Sequence, residues 1–294
     1  MDAPGFEARL AAVRADVERA LDAALAGVSH PVLGAAMRHA VLGGGKRLRA
    51  FLVVESARIC GAPEAGALRA AAAVECLHAY SLVHDDLPCM DDDDLRRGQP
   101  TVHVRWDEAT AVLVGDALQS LAFELLTDPA THADAAVRAD LALTLARAAG
   151  ACGMVEGQMR DIEAESATAP LTLDEVTRLQ ALKTGALIRW SAEAGARLAG
   201  ADPAPFARYA AALGLAFQIH DDVLDVIGDA AAAGKRVGKD AARGKATFVG
   251  LLGLEGARAR AAELVEEAVA ALAPFGPEAD GLRQAARFAI SRRS

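Results

Sequence analysis

Asp85, Asp86 and Asp91–Asp94 put six carboxylates within ten positions, and Arg96 and Arg97 follow at once. A second group, Asp221, Asp222, Asp225 and Asp229, lies in HDDVLDVIGD at 220–229. Each group closes a long apolar stretch. The C-terminal end of a helix already carries partial negative charge from its aligned peptide dipoles, so carboxylates there are repelled by the backbone as well as by one another. Hard divalent cations relieve such crowding, and Mg²⁺ takes one or two carboxylates and fills its shell with water and phosphate oxygens. A solvated acidic turn accounts for either group taken alone. Two groups of one pattern, each ending an apolar helix, favour the cation and, with it, a phosphorylated substrate.

At about 100° per residue, Gln218, Asp221 and Asp225 share one helical stripe and Asp222 turns to its side. Asp85 and Asp91 lie off any common stripe of a regular helix, but Pro88 between them breaks the hydrogen-bond ladder and allows a shared focus. Bound phosphate also needs cations, arginine best because its planar fork pairs bidentately. GGGKRLR (43–49) places Lys46 and Arg49 after a glycine turn, where free backbone N–H groups receive anions. Taken alone, the same glycines are more often a helix C-cap than a phosphate cradle, and the run lacks the P-loop form. GKRVGKDAARGK (234–245) offers Lys235, Lys239 and Lys245 after the second acidic group, with a solvated loop as the alternative. His78 precedes Asp85 by two helical turns on the same face, aimed at the same space or satisfied in a core.

The elements that position these groups are helices. The 294 residues are 53% hydrophobic and only 4% aromatic, rich in alanine and leucine and sparse in strand formers, so the chain reads as all-α. Glycine and proline punctuate it into helices at 5–27, 31–42, 46–60, 65–87, 104–127, 132–152, 154–165, 172–199, 203–228, 245–253, 255–273 and 277–291. Segments 65–87 and 203–228 are apolar nearly all round and belong at the centre of a bundle. No linker or repeat divides the chain, so 1–294 reads as one helical domain.

The net charge of −9 argues against a nucleic-acid partner. Four dispersed cysteines without metal or disulfide spacing fit a reducing cytoplasm. No apolar run reaches the roughly 18 residues of a membrane span. The N-terminal segment reads as an amphipathic helix, with Phe6, Leu10, Val13, Val17, Leu21 and Leu25 on one face, rather than as a targeting peptide.

From residue 30 onward the ordered set GGGKRLR, DDLPCMDDDDLRRG, KTGALI (183–188), GLAFQIHDDVLDVIGD and the later Gly-Lys pairs resembles the short-chain trans-isoprenyl diphosphate synthases, most closely those of the bacterial farnesyl diphosphate type. The resemblance implies a helical bundle of the isoprenoid synthase type around a deep cavity, acting as a homodimer. It implies prenyl transfer from allylic diphosphates to isopentenyl diphosphate, with Mg²⁺ as cofactor, about three ions per site when substrate is bound and Mn²⁺ able to substitute. Asp85, Asp86 and Asp91 would hold metal on one wall and Asp221 and Asp225 on the other. Arg96, Lys183, Lys235 and Lys245 would bind the allylic diphosphate, and Lys46, Arg49, His78 and Arg97 isopentenyl diphosphate. Thr184 and Gln218 would face the carbocation. Tyr80 and Ser81, five and four positions before Asp85, would set chain length, and a tyrosine at the fifth resembles enzymes making C15 products. The rivals are a C20 synthase of the same family, a class I terpene cyclase, and a non-catalytic regulatory subunit.

Overall fold

The computed structural model describes residues 4–167, 169–227 and 246–291. Its helices are α1 (Pro4–Ala24), α2 (Pro31–Leu42), α3 (Leu48–Cys60), α4 (Glu64–Asp85), α5 (Val102–Arg105), α6 (Glu108–Thr127) and α7 (Ala135–Ala149). They continue with α8 (Met154–Glu165), α9 (Leu173–Gln180), α10 (Ala186–Leu198), α11 (Ala204–Ile227), α12 (Phe248–Ala271) and α13 (Asp280–Ser291). Local chemistry starts them where the sequence suggests. Pro31 stands in the first turn of α2, Asp107 and Asp134 accept from backbone N–H groups at the starts of α6 and α7, and Thr172 with Glu175 forms a capping box on α9.

Four details depart from the helices expected. A two-residue hairpin, β1 (Leu95–Arg96) with β2 (Gln99–Pro100), follows the first acidic group, turning at Arg97 and Gly98, both at positive φ. The helix expected at 104–127 is α5 and α6, parted at Trp106 and Asp107. The segment 172–199 holds a π-turn, Ala181–Gly185, between α9 and α10. The two helices expected at 245–253 and 255–273 are joined in α12 across a kink at Gly253, whose φ of 71° needs glycine.

Two adjoining cores result. One surrounds α4 with residues of α1, α2, α6 and α7; the other surrounds α11 with residues of α9, α12 and α13. Helices α3 and α10 serve both: Phe51 and Trp190 belong to the first core, Leu52 and Ile188 to the second. These two helices cross closely because Gly195 lacks a side chain. A Cβ there would sit 2.0 Å from the Ala57 nitrogen, while the Gly195 N–H donates to Ser56 Oγ at 3.2 Å. The bundle thereby fixes the C-terminal ends of α4 and α11, where the two acidic groups lie.

Helix α6 is long and apolar enough, by length and composition, to cross a membrane, which the run-length reading did not anticipate because single charges interrupt it. Its inner residues, including Val114, Leu118 and Leu126, pack in the first core. Val112 and Leu113 remain exposed.

Candidate active site

Helix α4 stops at Asp85, and Pro88 follows in a tight turn. Within that turn the Asp91 N–H donates to the Asp85 carbonyl at 2.8 Å, and Asp92 takes a positive φ of 52°. The turn folds Asp91 back beside the end of α4, so residues six apart in sequence act on one carboxylate. Burial pushes the Asp85 carboxyl up to about 6; Lys183 opposes this, and the Asp91 and Asp86 charges add to it.

Asp86 turns another way. It is buried, and its Oδ1 accepts from Arg96 Nε at 2.6 Å and lies 2.5 Å from Arg96 Nη2. Burial lowers the affinity of Arg96 for its proton, but the hydrogen bond and charge of Asp86, with Asp93 and Asp85, outweigh this and hold it above the ordinary guanidinium range. The first Asp-Asp pair thus splits into one ion-paired carboxylate and one strained by burial.

The second pair splits likewise. Asp222 Oδ2 accepts from the Phe248 N–H at 2.7 Å and anchors the first residue of α12. Asp221 is turned so that its charge acts on Arg49, and Asp225 lies one turn further along α11. Gln218, a turn earlier, donates to Gln180 Oε1 at 2.6 Å, next to the π-turn.

Arg49, in the first turn of α3, is half-buried, and its buried Nε has no hydrogen-bond partner. Burial lowers its pKa; Glu75 and Asp221 oppose that fall, and Arg97 adds to it. His78 faces the same space, its pKa held well below the ordinary imidazole range by burial and then by Arg49, Arg97, Arg96 and Arg47. The ring is therefore neutral, a hydrogen-bonding group set among cations. Of the two roles its sequence allowed, the glycine turn serves as the C-cap: Gly43 ends α2, while the Gly44 carbonyl accepts from Arg97, whose guanidinium would lie 2.7 Å from a Cβ on Gly45. Arg47 is structural, pairing with buried Glu75 at 2.9 Å. Lys46 Nζ lies 5.8 Å from the ring centroid of Phe288 on α13.

On the opposite side, Lys183 occupies the π-turn, a geometry that often marks functional sites. Its Nζ donates to Asp161 Oδ2 on α8 at 2.7 Å. Gly157 lets the two segments meet, since a Cβ there would be 2.2 Å from the Lys183 nitrogen. Between these groups lies a cavity of about 360 Å³. Arg49, His78, Asp85, Lys183 and Thr184 line its polar part, while Tyr80, Met154, Met159 and Ile162 line an apolar part. Ser81 also borders it and donates to the His78 carbonyl at 2.9 Å. Lys235, Lys245 and the basic residues of the terminal SRRS lie outside the described residues.

Sequence reasoning missed Asp161, Gln180, Glu75 and the apolar wall of α8. MVEGQMRDIEAE reads as an ordinary amphipathic helix, and nothing in its spacing announces that Asp161 meets a lysine 22 positions on. Among the described residues, no three His, Cys, Asp or Glu side chains converge as a ready metal cage. The donors present are hard carboxylate oxygens in crowded pairs, which suits Mg²⁺, an ion that draws much of its shell from water and substrate phosphate.

An all-α bundle with paired acidic helix ends, an arginine whose Nε is buried without a partner and an apolar cavity defines a class of enzyme that handles anionic, hydrocarbon-bearing substrates. The chain belongs to the polyprenyl synthetase family, whose model it matches over residues 30–274. It is 49% identical to the farnesyl diphosphate synthase of Escherichia coli over 79% of each chain. Its fold is similar to an apo crystal structure of an FPP/GFPP synthase from Zymomonas mobilis, at a TM-score of 0.89 and 46% identity over 97% of this chain and 99% of that one. It also resembles a geranyltransferase from Helicobacter pylori complexed with magnesium and isoprenyl diphosphate, at a TM-score of 0.80 and 34% identity over 99% and 97% of the two chains.

Proposed function

We propose that this chain is a prenyltransferase that condenses isopentenyl diphosphate with dimethylallyl and geranyl diphosphates in 1′-4 coupling, giving farnesyl diphosphate. The observation that carries the reading is the cavity itself. One end gathers Asp85, Lys183, Arg49 and neutral His78, and the remainder is apolar and bounded by Tyr80. A diphosphate fits the first part and a growing hydrocarbon the second. Asp85 and Asp91 on one wall, and Asp221 with Asp225 on the other, would hold Mg²⁺, as magnesium accompanies the diphosphate in the Helicobacter relative. When bound, Mg²⁺ supplies the positive charge that lets diphosphate leave the allylic carbon.

The chain's own residues do the rest. Lys183, steadied by Asp161, sits beside Asp85, where negative charge grows on the leaving group, and fixed charges aimed at that place lower the barrier without reorganising. Arg49, whose Nε lacks a partner, takes the diphosphate of isopentenyl diphosphate with His78, Arg97 and Lys46. Gln218 and Thr184 turn amide and hydroxyl dipoles toward the cation. The methionines and Ile162 of α8 exclude water that would quench it. The departing diphosphate accepts the proton lost after coupling, so no side-chain base is required.

The exposed Val112 and Leu113 of α6 and Leu143 of α7 support a homodimer that covers them. Four free thiols suit a reducing cytoplasm. The test is to incubate the protein with Mg²⁺, labelled isopentenyl diphosphate and the C5, C10 or C15 allylic diphosphate, then size the products. C15 product from the C5 and C10 starters is expected. A dominant C20 product would move the assignment to the longer-chain synthases, and no elongation from any starter would overturn it.

A further inference from the structure

Tyr80 projects from the C-terminal part of α4 into the apolar part of the cavity, and a side chain in that place must resist a lengthening hydrocarbon. A tyrosine ring on two rotatable bonds swings aside unless something holds it. The structure supplies a brace. The His84 ring, one turn nearer Asp85 on the same helix, meets Tyr80 edge to face, with centroids 5.7 Å apart and planes at 84°. His84 is itself fixed from outside α4, its Nε2 lying 3.1 Å from the Val112 carbonyl of α6.

That seat exists because residue 115 has no side chain. A Cβ on Gly115 would fall 2.0 Å from His84 Nε2 and 2.4 Å from Cδ2, inside the space the ring fills. Gly115 has a helical backbone, so the fold asks for glycine here to admit the histidine and not to relieve φ. From the next turn of α6, the exposed Gln119 stands near enough to the Tyr80 hydroxyl for its amide to favour the ionised phenol. The ring is thus braced by His84, which is tied to α6, and neighboured at its polar end by Gln119 of α6, a helix that contributes no residue to the acidic groups.

We infer that Gly115, His84 and Gln119 are specificity-positioning residues that lock Tyr80 across the hydrocarbon path and so fix product length. The inference rests on the proposed prenyl transfer but assigns residues outside the diphosphate-binding groups. An edge-to-face contact bears on the balance between blocked and open rotamers, so releasing it raises the ratio of C20 to C15 product by roughly two- to tenfold. The positioning residues act only through Tyr80, which makes their effects non-additive with its loss.

The experiment measures product-length ratios for wild type, His84→Ala, Gln119→Ala, Gly115→Ala and Tyr80→Ala, and for His84→Ala and Gln119→Ala each combined with Tyr80→Ala, using geranyl and farnesyl diphosphates as starters. The ratio is read per product formed, so a change in rate does not enter. The expected result is a larger C20 share in each single variant and no further change when His84→Ala or Gln119→Ala is added to Tyr80→Ala. Unchanged ratios in the single variants would overturn the inference, as would equal shifts with and without Tyr80. If Gly115→Ala does not fold, His84→Ala, which only removes atoms, and Gln119→Ala on the exposed face of α6 still decide the matter. A wild-type protein that elongates nothing would instead defeat the proposed reaction.

Discussion

The two acidic helix ends solve the same electrostatic problem with different means. At the end of α4, the turn through Pro88 and the β1–β2 hairpin bring Arg96 back onto Asp86, so the relieving charge comes from the same short stretch of chain. At the end of α11 a partner comes from further along the chain: Asp222 accepts the Phe248 N–H at the start of α12. In both, one carboxylate of the pair holds the fold while its neighbour points elsewhere: Asp85 lines the cavity, and Asp221 acts on Arg49. Identical residues side by side therefore have different tasks.

That division is open to attack one member at a time. Asp85→Asn is expected to lower kcat on the order of 10²–10³-fold with little loss of Tm, as removal of a group stabilising transition-state charge does. Asp86→Asn should show the opposite emphasis, a clear drop in Tm from loss of its ion pair with Arg96 and a smaller kinetic effect, by thermal melts and steady-state assays in parallel. Equal kinetic losses would erase the distinction. Arg49→Met should raise KM for isopentenyl diphosphate roughly thirty-fold or more, the scale of truncating one partner of a buried charge pair, while leaving KM for the allylic substrate less changed.

A smaller effect follows from pH. Burial lifts the Asp85 carboxyl to about 6 without metal, above its unfolded value, so its contribution to stability is full in acid and is lost as pH rises through 6. In metal-free protein, Asp85→Asn should therefore gain in Tm relative to wild type between pH 4 and pH 7. Mg²⁺ needs the ionised form, so its affinity in the presence of diphosphate should fall about tenfold per pH unit below 6, as titration calorimetry would read. The smallest effect belongs to Asp222→Ala, which should cost about 1 kcal/mol through loss of the cap on α12, seen in melts, with kcat nearly unchanged.

Much of this arrangement was legible before any coordinates. Helix α2 and helix α8 begin and end where proline and glycine said they would, and Pro88 marked the turn that brings Asp91 back to the end of α4. The stripe through Gln218 and Asp221, with Asp222 aside, follows from helical geometry alone. What stayed hidden depends on contacts distant in sequence. The π-turn at Ala181–Gly185 has no compositional mark inside a helical pattern, because packing of Gly157 against Lys183 helps to set it. The Arg96–Asp86 pair could have been suspected from the Arg-Arg-Gly turn, but which carboxylate it would take was decided by the fold. Gly115 shows the limit most plainly, since its purpose lies in a histidine on another helix.

The central claim is that Asp85 and Asp221, not their neighbours Asp86 and Asp222, gather metal and diphosphate between opposed walls. Its most direct test is calorimetric titration of inorganic diphosphate, with and without Mg²⁺, into wild type and into the Asp85→Asn, Asp86→Asn, Asp221→Asn and Asp222→Ala variants. The account predicts Mg²⁺-dependent binding that Asp85→Asn and Asp221→Asn each largely abolish and that Asp86→Asn and Asp222→Ala largely retain. Binding that is indifferent to Mg²⁺, or equally weakened by all four substitutions, would contradict it.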